Sequence, residues 1–265
     1  MLFGVLHENR QRAEIFGDDA DQYDRSRPGY PDAMIDALLR GLDERPPVRV
    51  LDVGCGTGIA ARQFARRGCV VLGVEADERM AAVAKGHGLE VEVSRFESWD
   101  DRGRRFDLLT AGQSWHWVDP AEGALRAADV LEPGGSVGLF WNLGSPPDQV
   151  QRAFDEVYVR LAPSTDKDSA LLGSQDGERF HRAAEGLRGC RRFGEPQTAS
   201  YSWDQYYTAD QWLDQLQTHS DHRLLPKETI AALLAELDKV IVSFGGGFTM
   251  NYKTWLITAP RKEHT

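Results

Sequence analysis

Between Val48 and Glu75 the chain reads VRVLDVGCGTGIAARQFARRGCVVLGVE, and no other stretch limits the possible fold so tightly. An apolar run from Val48 to Val53 meets Gly54, Gly56 and Gly58. A helical pattern follows, and a second apolar run from Val70 to Val74 ends on Glu75. The pattern predicts a strand, a glycine turn, a helix and a second parallel strand. Glycine is required where the backbone takes a positive φ or where a ligand lies against bare main chain. A carboxylate about 20 residues past such a loop can accept hydrogen bonds from both hydroxyls of a ribose. The stretch therefore describes a pocket for a nucleoside-containing cofactor.

The spacing then narrows the nucleoside. The dinucleotide fingerprint needs a glycine at the sixth position from Gly54, where Ile59 stands, and no Gly-Lys-Ser/Thr follows to make a phosphate loop. Asp52 precedes the first glycine by two residues. A carboxylate there repels a pyrophosphate but suits an ammonium group, while the helix N-terminus still offers N–H groups to a carboxylate. The alternative for Asp52 is a helix cap. A ligand with a ribose, an amino group and a carboxylate but no phosphate is S-adenosylmethionine.

At this point the chain resembles the class I S-adenosylmethionine-dependent methyltransferases, and within them the small-molecule (type 11, trans-aconitate methyltransferase-like) group. Upstream, Tyr23-Asp-Arg-Ser-Arg27-Pro-Gly-Tyr30-Pro31 is similar to the segment preceding the first strand in that group. Downstream, Phe106 to Trp117, with Gln113, Trp115, His116 and Trp117, resembles its fourth-strand signature. Val130 to Gly135 is similar to the turn before its fifth strand. The motifs occur in the family's order over roughly the first 145 residues. The resemblance implies an α/β fold: a Rossmann-like, seven-stranded, mostly parallel sheet with helices on both faces. An N-terminal lid and an α-helical insertion after the fifth strand are expected additions, with the last strand antiparallel between strands five and six.

The cofactor-binding residues expected are Tyr23, Arg27, Asp52, Gly54, Cys55, Gly56, Gly58, Glu75 with Ala76 beside it, Phe96, Glu97 and Gln113. By resemblance, the Phe96 backbone and the Glu97 side chain flank the adenine, although Phe96 stands where a small residue is usual. Gln113 touches the homocysteine part, and Arg27 or Tyr23 reaches the cofactor carboxylate. Tyr30, Trp115 and Trp117 are expected at the substrate, where aromatic rings hold an organic acceptor and stabilise a sulfonium by cation–π attraction. His116 is the candidate general base. His219 and His222 have a spacing compatible with a metal, but lacking a third ligand nearby they read as packing in the substrate lobe, and no metal site is expected.

Composition removes other classes. With 31 Lys and Arg against 41 Asp and Glu, the formal charge is −10, which opposes a nucleic-acid substrate. The basic run Arg102-Gly-Arg104-Arg105 reads as a solvated loop. Three cysteines, Cys55, Cys69 and Cys190, make no disulfide framework and fit a reducing cytoplasm. Met1 to Leu6 is too short for a signal peptide, and no apolar run approaches the ~18 residues of a membrane span. The expectation is a cytoplasmic protein, monomer or homodimer, acting on a small-molecule acceptor. A non-catalytic binder of S-adenosylmethionine or its demethylated product stays open, and a nucleic-acid methyltransferase is the third reading.

The chain reads as one domain: lid and first helix over 1–45, cofactor core over 46–143, helical insertion with strand six over 144–225, final helix and strand over 226–265. Strands are expected at Val48–Val53, Val70–Glu75, Glu90–Ser94, Phe106–Ala111, Ser136–Trp141, Thr198–Trp203 and Phe248–Thr258. Their alternation with helices implies right-handed crossovers.

Overall fold

The structure, a computed structural model, describes Gly17 and residues 19–42, 47–163 and 176–263. Residues 1–16, 18, 43–46, 164–175 and 264–265, Met1 to Leu6 among them, lie outside the described residues. In chain order the elements are α1 (Ala20–Ser26), α2 (Asp32–Leu39), β1 (Arg49–Val53), α3 (Ile59–Ala65), β2 (Val70–Glu75), α4 (Glu78–Gly86) and β3 (Glu90–Val93). Then come β4 (Phe106–Gly112), α5 (Pro120–Val130), β5 (Leu131–Ser145), α6 (Asp148–Leu161) and α7 (Asp176–Gly189). The chain closes with β6 (Gln197–Thr208), α8 (Ala209–Leu216), α9 (Ser220–Arg223), α10 (Lys227–Ser243) and β7 (Gly247–Pro260).

The seven strands form one sheet in the order β3-β2-β1-β4-β5-β7-β6. The first five are parallel, and β7 runs antiparallel to both β5 and β6. The sheet is Rossmann-like, as the resemblance implies. Strands β1, β2 and β4 read as mostly apolar runs, interrupted by Asp52, Asp107 and Thr110, because helices cover both faces of the sheet. One face packs against α2 and α3 through Met34, Ile35, Leu38 and Phe64. The other packs against α5 and α7 through Ala124, Ala127 and Leu187. A separate aromatic-rich core, including Phe154, Tyr158, Trp212 and Phe248, joins α6, α8, α10 and the start of β7. The order in which strands are added reverses between β1 and β4, and ligands of open parallel sheets bind at such a switch point.

Two strands exceed their expected length. β5 reaches back to Leu131, which pairs with Phe106, so Pro133-Gly134-Gly135 forms an irregularity inside the strand span rather than a turn before it. Forward, β5 continues to Ser145 because β7 pairs with it all the way to Asn251, although Leu143 is the one apolar residue from Asn142 to Ser145 apart from a glycine. β6 continues to Thr208, whose side chain caps α8 in a reciprocal capping box with Gln211. β6 is an edge strand, largely exposed, so its hydrophobic alternation is weak.

The arginine run before β4 is matched by acids. Arg104 pairs with Glu92 at 2.8 Å and Arg105 with Asp101 at 3.4 Å. Among the described residues no helix is long and apolar enough to cross a membrane.

Candidate cofactor and acceptor site

The glycine turn brings β1 to the site. Gly54, Gly56 and Gly58 all have positive φ, at +62°, +57° and +85°. At Gly54 a side chain is excluded twice over, because a Cβ would also lie 2.5 Å from the Ser114 Cβ. Ser114 is pinned there by its hydroxyl, which donates to the Val53 carbonyl at 2.6 Å. At the tip of β2, Glu75 Oε2 accepts from the Gly56 N–H at 2.8 Å and Oε1 from the Asp77 N–H at 2.9 Å. Each oxygen is thus fixed by one backbone donor and keeps lone pairs for a ligand hydroxyl. Asp77 in turn caps α4.

Asp52 is 1% exposed. Its Oδ1 accepts from the Thr110 hydroxyl at 2.9 Å, whereas Oδ2 has no hydrogen-bond partner. Burial, with the Glu75 charge adding to it, pushes the Asp52 carboxyl up to about 7 against the help of Thr110. Glu75 is raised as well, by burial, despite its backbone donors. Two carboxyls with raised pKa values in one pocket ask for a cation. Cys55 is buried, its Sγ packed toward Gly73, and burial pushes its thiol up, so it is an inert filler.

The segment before β1 folds over this pocket. Asp24 on α1 pairs with Arg62 on α3 at 2.6 Å and with His87 at 2.7 Å. Burial pushes the Asp24 carboxyl up, but bonds from Arg62, Thr57 and His87 outweigh it and hold it below the usual range. Tyr30 stacks edge-on against Phe140 at 4.6 Å, and its hydroxyl lies over Gly112, where a Cβ would come within 2.7 Å of it. Asn142 Nδ2 donates to the Gly29 carbonyl at 2.9 Å. Arg27 lies 5.0 Å from the Tyr23 ring centroid and donates to the Thr218 hydroxyl at 2.8 Å and to the Thr218 carbonyl at 3.0 Å.

At the end of β4, Gln113 has φ +57°, a left-handed conformation unusual for glutamine. Its N–H donates to the Phe140 carbonyl at 2.9 Å and its Nε2 to the Asn142 carbonyl at 3.0 Å. The aromatic signature divides. Trp115 is 2% exposed and packs with buried Phe96 at 6.1 Å, with its Nε1 unpartnered. Trp117 and His116 are half-buried, their rings 4.8 Å apart. His116 Nδ1 accepts from Trp141 Nε1 at 3.3 Å. The proton of the neutral ring then belongs on Nε2, so the free nitrogen is a donor. Burial and the charge of Arg179 push this imidazole down to about 3. Glu97 Oε1 accepts from the Asp119 N–H at 3.1 Å, tying the loop after β3 to the start of α5. Tyr23, Arg27, Tyr30, Asp52, Glu75 and Gln113 thus converge on the switch point, while Phe96 and Trp115 belong to the core behind it.

The sequence reading misses Thr110, Asn142 and Asp221, and takes His222 as packing without its partners. A threonine inside the apolar run of β4 is a signal that could have exposed Thr110. Asn142 follows an apolar strand without one. His222 Nε2 lies 2.7 Å from the Tyr158 hydroxyl, and Asp221 Oδ1 lies 3.1 Å from His222 Nδ1.

Comparison with known proteins agrees with this geometry. A methyltransferase-domain family model matches residues 50–135. A ubiquinone biosynthesis O-methyltransferase of Acinetobacter baumannii is 30% identical over 190 residues, covering 66% of this chain and 75% of that protein. An uncharacterized methyltransferase of Mycobacterium tuberculosis is 36% identical over 136 residues, 50% of this chain and 54% of that one. The chain spans about half the length of the mycobacterial relatives it matches. A candidate type II methyltransferase of Anaeromyxobacter dehalogenans shares the fold with a TM-score of 0.67 at 21% identity, over 90% of this chain and 99% of that one. The chain belongs to the class I S-adenosylmethionine-dependent methyltransferases.

Proposed function

We propose that the protein binds S-adenosylmethionine and catalyses transfer of its methyl group to an oxygen of a small-molecule acceptor. The observation that carries this reading is the pair of buried carboxyls flanking the glycine turn: Asp52 with one oxygen unpartnered, and Glu75 anchored by two backbone donors. The pair disfavours a pyrophosphate and suits a ligand with an ammonium group and a ribose. Asp52 would hold the amino end through Oδ2 and Glu75 the ribose, while Gly54, Gly56 and Gly58 let the ligand lie against main chain. The cofactor supplies an activated methyl group. The protein's work is to position, exclude water and match charge. Tyr30 and Tyr23 close the pocket from above, and Arg27 joins that cover to the lobe around Thr218.

His116, with Nδ1 occupied by Trp141, serves as a hydrogen-bond donor that orients the acceptor, not as its base. The O-methyltransferase name of the Acinetobacter relative supports an oxygen acceptor.

Isothermal calorimetry is the first test. Heat with S-adenosylmethionine and S-adenosylhomocysteine, and none with NAD, is the expected result. Binding of NAD alone would point to a dinucleotide pocket instead. Release of S-adenosylhomocysteine against a panel of hydroxylated and carboxylic acceptors then separates an enzyme from a binding protein.

A further inference from the structure

The sheet ends in two edge strands of opposite character. β3 is four residues long and carries two acids, Glu90 and Glu92. Glu92 is pinned by Arg104 at 2.8 Å and by the Trp99 indole N–H at 2.6 Å. A short, charged strand is how natural sheets block further pairing. β6 at the other end has none of these devices. Its 12 residues, QTASYSWDQYYT, contain no lysine, arginine or proline and one charge, Asp204. Its register with β7 runs unbroken from Gln197–Thr258 to Thr208–Gly247, with no bulge to twist the edge away. Among the described residues no strand pairs with its outer side.

The end of the strand fixes which backbone groups point outward. Thr208 stands opposite Gly247, and the next N–H, that of Ala209, donates to the Gly246 carbonyl at 3.1 Å. Thr208 and Gly247 are therefore a non-hydrogen-bonded pair, and the N–H and carbonyl of Thr208 face away from β7. With the strand's period of two, so do those of Thr198, Ser200, Ser202, Asp204 and Tyr206. Two of these groups are met from within the chain. The Thr208 N–H donates to Gln211 Oε1 at 3.0 Å, and the Tyr206 carbonyl accepts from Gln205 Nε2 at 3.1 Å. The open stretch is Thr198 to Asp204, where Thr198, Ser200, Ser202 and Asp204 are all exposed.

We propose that this stretch is a homodimer interface, pairing antiparallel with its own copy about a two-fold axis at Tyr201. An antiparallel edge is self-complementary, as a two-fold contact requires. In that register Ser200 faces Ser202 of the partner subunit and Thr198 faces Asp204 of the partner subunit, and the outward groups form about eight backbone hydrogen bonds. Charge selects a second copy as the occupant. At −10 two copies repel each other over most of their surface, yet this edge bears only Asp204, whose carboxylate accepts from Asn251 Nδ2 at 2.8 Å. The register sets each Asp204 against a threonine hydroxyl, with no acid opposite an acid. A basic partner would find no acidic row here to recognise. The contact is short and self-repulsion opposes it, so the dimer is expected to be reversible, with a Kd of about 1–100 μM.

Sedimentation equilibrium of the whole chain at about 0.15 M salt, from about 1 to 300 μM protein, reads the association. The mass should rise from that of the 29.6 kDa monomer toward twice that value. Ser202→Pro removes an outward N–H that the β7 ladder does not use, so the fold should survive while the dimer weakens at least about tenfold. Ser200→Lys combined with Ser202→Lys gathers the ammonium groups of both copies at the axis and should leave only monomer. Mixing that chain with one carrying Ser200→Glu and Ser202→Glu should restore the dimer. Circular dichroism checks that each variant is folded. A wild type that stays monomeric throughout overturns the proposal. So does a dimer that the proline and lysine variants leave intact, because its contact then lies elsewhere. Lysine and glutamate chains that remain apart when mixed overturn it too. None of these outcomes depends on the methyltransferase reading.

Discussion

The two halves of the site are built by different means. On the cofactor side the defining contacts are short in sequence and made by main chain: Gly56 to Glu75 spans 19 residues and Asp77 to Glu75 spans 2. On the side proposed for the acceptor they are long and made by side chains. Arg27 reaches Thr218 across 191 residues, Asn142 reaches Gly29 across 113, and Tyr158 meets His222 across 64. The first half depends on backbone conformation, which tolerates no substitution at its glycines. The second depends on side chains whose register is set by distant parts of the sheet. Changes in the two halves should therefore fail differently.

The largest effect is expected at Gly54. Gly54→Val combines a positive φ with a Cβ 2.5 Å from that of Ser114, strain of about 3 kcal/mol or more. Affinity for S-adenosylhomocysteine should fall by at least about 100-fold by calorimetry. Unchanged affinity would break the view that main chain defines this half. Next, Glu75→Gln places an amide N–H₂ against the Gly56 or Asp77 N–H, and should weaken the cofactor by about 10- to 100-fold. The same assay reads it, and a loss confined to the acceptor KM would sink the ribose assignment.

These two positions also explain what was legible in the sequence. Gly54, Glu75 and Gln113 could be placed at strand ends because glycine turns and an acid at fixed offset are local patterns; alternation implied the parallel sheet, while the place of the last strand came only from the resemblance. Aromatic character was a poorer guide. Trp115 and Trp117 are two residues apart, yet one is core and the other half-exposed, because the short 3-10 turn Trp115–Trp117 points them in different directions. His116 reads as a base in the sequence, and the Trp141 indole N–H at its Nδ1 favours the donor role proposed above. That bond spans 25 residues and is invisible to spacing. Asp221 and the partnering of His222 were hidden for the same reason: what makes the two a unit is Tyr158 on another helix.

A pH test sharpens the contrast. The Asp52 pKa is raised to about 7 in the folded, ligand-free protein, above its unfolded value of 3.8. Its protonated form is therefore the one folding favours, and the stability it contributes is lost as pH rises through about 7. A cationic ligand prefers the ionised form, so cofactor affinity should rise with pH through the same window, by a factor of about ten. Calorimetry in buffers of different ionisation enthalpy should detect a proton released on binding. Asp52→Asn should flatten the profile, and a wild-type affinity already independent of pH would remove Asp52 from the ammonium site.

The smallest effect tests whether the halves are separable. Trp203 Nε1 donates to the Thr254 hydroxyl at 2.8 Å, and that hydroxyl donates to Asn142 Oδ1 at 2.6 Å. Asn142 then holds the lid at Gly29, so the chain of bonds crosses β6, β7 and β5 before reaching the cover of the pocket. Thr254→Val keeps the shape and removes both bonds, costing about 1 kcal/mol of stability in thermal unfolding. Because the glycine turn and Glu75 contribute nothing to this chain, cofactor affinity should stay within about twofold, while the acceptor KM rises several-fold as Asn142 loses its orientation. The reverse pattern, a weakened cofactor with an unchanged acceptor KM, would mean that the sheet's far edge governs the nucleoside pocket, and the division between a backbone-built half and a side-chain-built half would fail.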